Sequence, residues 1–375
     1  MPLEPGLDET RAWLALLRAP GIGAGGVREL VGRHGSALAA QVAAAREART
    51  GAEARAWLAA PDAAIIERDL TWLAESDHHL IVATSEDFPA LLRDAQNPPA
   101  ALFVAGDPAC LWSAQIAIVG SRSASAGGLA NARAFAKTFA QAGNTITSGL
   151  AEGVDGAAHE GALEGGGKTI AVLGTGPDLV YPRQHRDLAE RIVAHGALVS
   201  EFPPGTPGKP ENFPRRNRLI AGLSLGTLVV EAGLNSGSLI TARLAAEAGR
   251  EVFALPGSIH SPLARGCHRL IRDGAKLVET AEEVIEELRG VGGLLAEGLR
   301  RRLGAPAAAA PIAEPAAAAR DPEYQRLLAA LDTEPAALDE LVERTGLPAA
   351  ALSSMLLVLE LDGAVAAENG RYARR

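Results

Sequence analysis

The chain has 375 residues, which at roughly 150 residues per domain predicts two or three domains. With 47% hydrophobic and 22% charged residues it has ample material for a core, which excludes an intrinsically disordered chain. A net charge of −9 argues against nucleic acid unless positive charge is concentrated locally, and two cysteines exclude a disulfide framework and a four-cysteine zinc site.

The first residues carry no export signal. Residues 1–11 are acidic and lack a basic head followed by an apolar stretch. The longest apolar runs, such as 116–120 and 227–232, are too short to cross a bilayer. The sequence therefore predicts a cytoplasmic protein with no membrane partner.

Residues 1–80 predict an N-terminal helical domain, because Ala, Leu and Arg recur there at helical spacing. Asp8 is expected to cap the first helix, which ends at Pro20. Further helical stretches follow at 27–34 and 36–60.

Residues 21–26 match the G-x-G-x-x-G dinucleotide fingerprint, but a predicted helix precedes them where the fingerprint needs a strand. A Pro-Gly-Ile-Gly turn between helices is similar to the hairpin of a helix-hairpin-helix unit, whose backbone amides can hold a DNA phosphate. A helix–helix turn without any ligand is favoured over this, because small helical domains use such turns freely.

Residues 81–290 predict an α/β domain with a doubly wound parallel sheet. Seven short runs read as strands buried on both faces, and helical patterns such as 129–141 and 238–247 separate most of them. The predicted strands are 115–120, 144–149, 169–174, 197–202, 227–232, 251–256 and 275–279.

Nearly every predicted strand ends in a glycine or an acid, at the edge of the sheet where such folds bind ligands. Any one of these glycines could simply form a tight turn, whereas the whole set favours a ligand edge. The residues are Gly120, Gly149, Gly174, Glu201 and Glu231.

The loop Gly120-Ser121-Arg122-Ser123 follows the first of these strands and opens a helix, which is typical of an anion site. The guanidinium of Arg122 suits a phosphate, although a surface arginine is the simpler alternative. Because the loop lacks the Gly-Lys-Ser/Thr ending of a P-loop, ATP hydrolysis by that route is not expected.

Asp155 and His159 stand four residues apart and would share a helix face. They could act in acid–base chemistry, but a structural hydrogen bond is the more frequent use of such a pair. No third ligand stands at metal spacing, so no metal site is predicted. Lys168, just before the strand at 169–174, is by itself an ordinary solvated lysine.

Residues 212–218 crowd arginines around an aromatic ring. Guanidinium groups pair with phosphates and an aromatic side chain can stack on an unpaired base, so this cluster favours anion binding over an intramolecular salt-bridge cluster. Its members are Phe213, Arg215, Arg216, Asn217 and Arg218.

Ser236, Gly237 and Ser238 precede a predicted helix whose N-terminus faces the ligand edge. Glu231, at the end of the fifth strand, could be a catalytic acid–base group or could orient an arginine of the cluster. The first option defines an alternative function, that of a nucleotide or N-glycosidic hydrolase using Glu231.

The end of the chain divides into a linker and a small domain. Residues 291–320 contain an Ala/Pro-rich tract that predicts a flexible linker. Residues 321–375 predict helices at 324–331, 338–345 and 348–361, followed by a hairpin around Asn369-Gly370, which is the order of a winged helix.

Together these motifs resemble the bacterial DNA-processing protein A family (DprA, also called Smf). The resemblance covers about residues 85–285. It rests on IVGSRSASAGG at 118–128, SGLAEGVDGAAHEGAL at 148–163, GGKTIAVLGTGPDLVYP at 166–182, NFPRRNRLIAGLS at 212–224, VVEAGLNSGSLITA at 229–242 and GCHRLIRDGAKLV at 266–278.

The resemblance implies an extended Rossmann-like domain that dimerises, a small N-terminal helical domain (SAM-like or helix-hairpin-helix-like) and a C-terminal winged-helix-like domain. It implies a non-enzymatic recombination mediator without a cofactor, which binds single-stranded DNA, protects incoming strands in natural transformation and loads the RecA recombinase. The family's DNA pocket carries an arginine and a lysine that match Arg122 and Lys168.

This chain departs from the family pattern at three positions: Glu152 stands where Arg is usual, Pro177 interrupts a Gly-Leu-Asp stretch, and His185 stands where Asn is usual. The acid at 152 puts a phosphate contact there in doubt. Residues 115–280 nevertheless carry 17 basic against 14 acidic side chains, so the acidity of the chain belongs to its flanks. The net charge therefore does not exclude DNA.

Overall fold

A computed structural model describes residues 6–289, 326–327, 329–331, 336–348, 352, 355–356, 365–368 and 371–374. The chain forms two compact units, which meet between residues 305 and 306 in sequence and are described separately below. The predicted linker at 291–320 lies outside the described residues.

Five helices begin the first unit. They are α1 Leu7–Arg18, α2 Ala24–His34, α3 Ala37–Ala44, α4 Ala52–Ala59 and α5 Ala63–Leu73. The stretch predicted as helical at 36–60 is divided into two of them, and the fifth helix has no counterpart among the predicted stretches. The expected cap of α1 was wrong: Gly6 occupies the N-cap position and Asp8 lies inside the first turn, where its charge suits the helix dipole. Ser36 and Asp62 do cap their helices, through side-chain oxygens that accept backbone N–H groups.

A nine-stranded sheet follows, and it contains all seven predicted strands. The strands are β1 His78–Val82, β2 Ala101–Gly106, β3 Gln115–Val119, β4 Thr145–Ser148, β5 Thr169–Val172, β6 Ala197–Ser200, β7 Gly226–Val229, β8 Glu251–Ala254 and β9 Lys276–Leu277. Their spatial order is β1-β2-β6-β5-β4-β3-β7-β8-β9.

The seven predicted strands run parallel to one another, which confirms the α/β class. The two strands that the sequence analysis missed, β1 and β2, extend the sheet by antiparallel pairing beyond β6. The helices of this region are α6 Ala90–Arg93, α7 Ala126–Gln141, α8 Val154–Glu164, α9 Arg186–His195, α10 Asn212–Leu223, α11 Ser238–Glu247, α12 Arg265–Arg272 and α13 Ala281–Leu288.

The strand order reverses at β3. From β3 the chain winds outward through β4 and β5 to β6, and then it crosses back to lay β7 on the other side of β3. The carboxyl ends of β3 and β7 therefore form a topological switch point, where a doubly wound sheet leaves a crevice for a ligand.

The N-terminal helices share a hydrophobic core with the sheet. Trp13 and Leu16 of α1 belong to the same buried cluster as Phe103 of β2 and Leu198 of β6. The predicted domain boundary between residues 80 and 81 falls inside β1, so a cut there would divide a strand.

A buried ion pair reinforces this junction. Both carboxylate oxygens of Asp69 accept from Arg18, at 2.5 and 2.7 Å, and the Asp69 side chain is fully buried. Arg18 also donates to the carbonyl oxygen of Pro204, at 2.7 Å, which ties α1 to the chain segment between β6 and α10.

The second unit contains helix α14 Leu338–Thr345 and a three-stranded antiparallel sheet of β10 Ala336–Ala337, β12 Arg371–Arg374 and β11 Val365–Glu368, in that spatial order. Leu341, Leu352 and Val365 belong to its apolar core. The predicted helix at 338–345 and the pairing of the predicted hairpin strands are confirmed, while the turn residues 369–370 lie outside the described part.

None of the described helices combines the length and the apolar character needed to span a membrane.

Candidate functional site

A cleft of about 870 Å³ opens at the switch point, beyond the carboxyl ends of β3 and β7. Its walls come from the loop after β3, the first turns of α10, α11 and α12, and the loop that follows β7. Of the residues that the sequence analysis selected, it brings together Gly120, Ser121, Arg122, Ser123, Asp155, Phe213, Arg216, Asn217, Ser236, Gly237 and Ser238.

The exposed side chain of Arg122 lies beside the ring of Phe213, which in turn lies beside that of Tyr181. Its guanidinium carbon is 5.8 Å from the centre of the Phe213 ring, and the Tyr181 ring lies 5.4 Å from the same ring. No ion pair neutralises Arg122 within the described ranges, so its charge is available in the cleft. Tyr181 was missed by the sequence analysis, although an aromatic residue in a Gly/Pro-rich segment at the ligand edge was a usable signal.

Glu231 fixes the loop after β3 and is not free for catalysis. Its carboxylate accepts from the backbone N–H of Ser125 at 2.8 Å and from the Ser125 hydroxyl at 2.6 Å. The Ser125 oxygen in turn caps α7 by accepting the N–H of Gly128. A Cβ at Gly128 would lie 2.5 Å from the Glu231 carboxyl carbon, so the absence of a side chain at this position leaves room for the Glu231 carboxylate. Both oxygens of Glu231 are thus engaged in positioning a loop, which disfavours the hydrolase alternative.

Arg216 forms part of the floor of the cleft. It is 4% exposed and donates to the carbonyl oxygens of Gly149 and Val172. Burial lowers its pKa to about 10, so the guanidinium remains charged at neutral pH. Gly149 itself does not line the cleft, and its role is to let the guanidinium approach the backbone.

Arg215 and Arg218 do not line the cleft. Both pair with the buried carboxylate of Glu201, Arg215 at 3.1 Å and Arg218 at a shorter distance. The arginine-rich stretch is therefore largely the salt-bridge cluster that the sequence analysis considered second. Only Arg216 and Asn217 of its polar members face the cleft.

The segment from Ser236 to Ser238 forms the start of α11 at the cleft. The two serine hydroxyls lie 2.7 Å apart and hydrogen bond to each other. The side-chain amide of Asn217 reaches the carbonyl oxygen of Gly237 at 3.4 Å, which joins α10 to α11. Hydroxyl groups and the positive end of a helix dipole together suit an anion.

Lys168 is not brought together with these residues. It precedes β5 and therefore lies at the amino edge of the sheet, opposite the cleft. Its ammonium group pairs with Asp107 at 2.7 Å, and this hydrogen bond raises the pKa of Lys168.

Asp155 and His159 have separate hydrogen-bond partners. Asp155 accepts from the backbone N–H groups of Gly149 and Ala151, and burial raises its pKa. His159 bonds to Thr169 at 2.7 Å, and burial lowers its pKa to about 3, so the ring is neutral at pH 7. Both side chains are therefore structural, but the hydrogen bond expected between them is replaced by these separate contacts.

The cleft contains no metal-ligand cluster among the described residues. Among the described residues, the side chains close enough together to hold a metal ion are Glu75, Asp77 and His78. None of these three residues lines the cleft. Glu152, which follows the cleft-lining Ala151, accepts from the side-chain amide of Gln184 at 2.6 Å, so its charge is partly satisfied within the protein.

Comparisons with known proteins agree with this geometry. The model of the family described as DNA recombination-mediator protein A matches residues 79–289, and that of the DprA winged helix domain matches residues 308–371. Protein Smf of Escherichia coli is 46% identical over 82% of this chain and 80% of its own length.

Two solved structures are similar. The X-ray structure of DNA processing protein A from Streptococcus pneumoniae matches with a TM-score of 0.67 at 34% identity, over 74% of this chain and 97% of that one. A structure of DNA processing protein A from Helicobacter pylori, which concerns its single-stranded DNA binding mode, matches with a TM-score of 0.50 at 29% identity, over 54% of this chain and 92% of that one.

Proposed function

This chain belongs to the DNA recombination-mediator protein A family, and from that premise we propose that it binds single-stranded DNA in the cleft at the switch point. The observation that carries the proposal is the group formed by Arg122, Phe213 and Tyr181. The guanidinium has no ion-pair partner in the described ranges and offers one contact for a phosphate. The Phe213 ring beside it, with the adjoining Tyr181 ring, offers a platform for an unpaired base.

The geometry favours single strands over duplex. Bases in a duplex are stacked on one another, so their faces are not accessible to an aromatic side chain. The Tyr181 side chain is 54% exposed and the Phe213 ring is in contact with it. A strand whose bases are unstacked can use these rings, while a duplex can use only the positive charge of the cleft.

Arg122→Ala is expected to weaken single-strand binding about fivefold at 0.1 M salt and to reduce the salt slope by about 0.7, because one phosphate contact is lost. Lys168→Ala is the matched control, since it removes an equal charge at the opposite edge of the sheet. Fluorescence anisotropy with a labelled oligonucleotide at two salt concentrations, repeated with duplex, measures both effects. Parent-like binding by Arg122→Ala would contradict the assignment of the cleft.

The same proposal assigns this protein the biological role of a mediator that protects incoming strands in natural transformation and loads RecA onto them. A strand-exchange assay with RecA, in which Arg122→Ala shows reduced stimulation, tests this step.

We further propose that the protein dimerises through the sheet edge at β9. This strand has two residues, it is the last of the sheet, and Leu277 on it is 50% exposed. An exposed apolar side chain on an unpaired sheet edge fits a self-complementary contact. Leu277→Glu is expected to convert a dimer to a monomer in sedimentation equilibrium, whereas Leu38→Glu, at an equally exposed leucine on α3, is expected to leave the dimer intact.

A further inference from the structure

Arg265 lies on the wall of the cleft that belongs to α12, across the switch point from Phe213 and Tyr181. Helix α12 packs against β8, on one side of β7, whereas α10 packs against β3, β4 and β5 on the other side. Arg265 is the first residue of α12, is exposed and lines the cleft. The sequence analysis did not select it.

The backbone holds the start of α12 in place. The N–H of Ala232, in the loop after β7, donates to the carbonyl oxygen of Leu263 at 2.7 Å, and the N–H of Gly266 donates back to the Ala232 carbonyl oxygen at 2.7 Å. A Cβ on Gly266 would lie 2.5 Å from that oxygen, so only glycine permits the second bond. Arg265 is thus presented from a fixed position.

The charge of Arg265 is unfavourable where it stands in the free protein. The N-terminus of a helix carries partial positive charge and normally attracts acids and capping side chains. Helix α13 follows that rule, with Thr280 as its cap and two glutamates in its first turn, whereas α12 has no acid in its first turn and its N-cap Ala264 offers no side-chain bond. An anion in the cleft would make this arrangement favourable.

Two further observations point to an anion. In the described part of the chain Arg265 has no ion-pair partner, while Arg269, one turn later on the same helix, pairs with Asp273 at 3.5 Å. On the floor of the same cleft, the buried Arg216 has an Nε atom without a hydrogen-bond partner among the described residues. The cleft therefore has a cation without an ion-pair partner in the described ranges on each wall, Arg122 and Arg265, and the buried guanidinium of Arg216 on its floor between them.

We propose that Arg265 is a second phosphate-contacting residue, which rests on the proposed single-strand function of this cleft. A strand then crosses the switch point between two cations. Its bases lie toward Phe213 and Tyr181, one phosphate meets Arg122, and a second phosphate meets Arg265 at the start of α12.

The test compares Arg265→Ala with Arg269→Ala, which removes the same charge from the same helix outside the cleft. Binding of labelled oligo(dT) is measured at several salt concentrations. Arg265→Ala is expected to bind about fivefold more weakly at 0.1 M salt with a slope reduced by about 0.7, and Arg265→Lys is expected to recover part of the affinity. Arg269→Ala is expected to keep the parent slope.

Thermal unfolding distinguishes the loss of a phosphate contact from a loss of folding stability. Because Arg265 opposes the helix dipole, Arg265→Ala is expected to melt at or above the parent temperature. Equal salt slopes for Arg265→Ala and Arg269→Ala would overturn the proposal, as would a lowered melting temperature with no recovery in Arg265→Lys. If Arg122→Ala weakens binding while Arg265→Ala does not, the proposed function stands and this inference fails.

Discussion

Arg18→Ala is expected to lower the free energy of unfolding of the first unit by about 3–5 kcal/mol, the usual cost of removing one partner from a buried ion pair. The Asp69 side chain is fully buried and would lose both hydrogen bonds from the guanidinium, which leaves it only the longer ion pair with Arg68, at 3.8 Å. The carbonyl oxygen of Pro204 would lose a donor in the same change. Urea unfolding followed by circular dichroism measures the difference.

Arg11→Ala is the matched control for this prediction. Arg11 is on the same helix and pairs with Glu67 at 2.6 Å, but both side chains are substantially exposed, so about 0–1 kcal/mol is expected. Similar losses in the two variants would show that burial of the Arg18 pair has no energetic weight. The double change Arg18→Met with Asp69→Leu is expected to recover most of the loss, because it leaves no unpaired buried charge.

Phe213→Ala is expected to weaken single-strand binding by about 1–3 kcal/mol, or roughly 5- to 150-fold, since the loss of a base-stacking ring costs that much. The effect should be similar for oligo(dT) and oligo(dA), because every base has a face to stack. Removing the ring also removes the contact with Arg122. Isothermal titration calorimetry with both oligonucleotides measures the loss of affinity.

Phe213→Tyr and Phe213→Leu are the controls. The tyrosine keeps an aromatic face and should bind like the parent, while the leucine keeps apolar volume against Gly174 and Tyr181 but has no ring face. Recovery of affinity by the leucine variant would mean that Phe213 acts through packing and does not stack on a base.

The parallel part of the fold was readable from the sequence because its strands are continuous apolar runs separated by helical patterns. The antiparallel pair β1 and β2 lacks that rhythm, since no crossover helix is needed between them. The run at Ala101–Gly106 is nonetheless buried at every position and carried a strand signal. The strand His78–Val82 is only half buried. It lies where the composition of the chain changes, and such a change indicates a boundary between domains.

The sequence predicted the site in outline. The residues that it assigned wrongly to the site have geometric explanations. Arg215 and Arg218 are three residues apart on α10 and share a face, so one carboxylate, that of Glu201, can engage both. Arg216 points elsewhere, into the floor of the cleft. This periodicity was available in the sequence, but the presence of Glu201 beneath that face was not.

Lys168 illustrates a different error. Ligand residues follow the strands of such a sheet, whereas Lys168 precedes one, so its position in the chain already indicated the amino edge. For Arg265 the position in the chain gave no such indication, because the residue stands far from every motif that suggested an anion site. Only the fold of α12 against the loop after β7 brings it to the cleft.

The core that the N-terminal helices share with the sheet has a consequence for biosynthesis. The five helices are complete once Leu73 has emerged, but their buried partners include Leu173 and Leu198, and Arg18 bonds to Pro204. At about 5–20 residues per second, translation takes on the order of ten seconds to supply those partners. During that interval the side of these helices that packs on the sheet has no strands to pack against, so the shared core forms only after that part of the chain has been made.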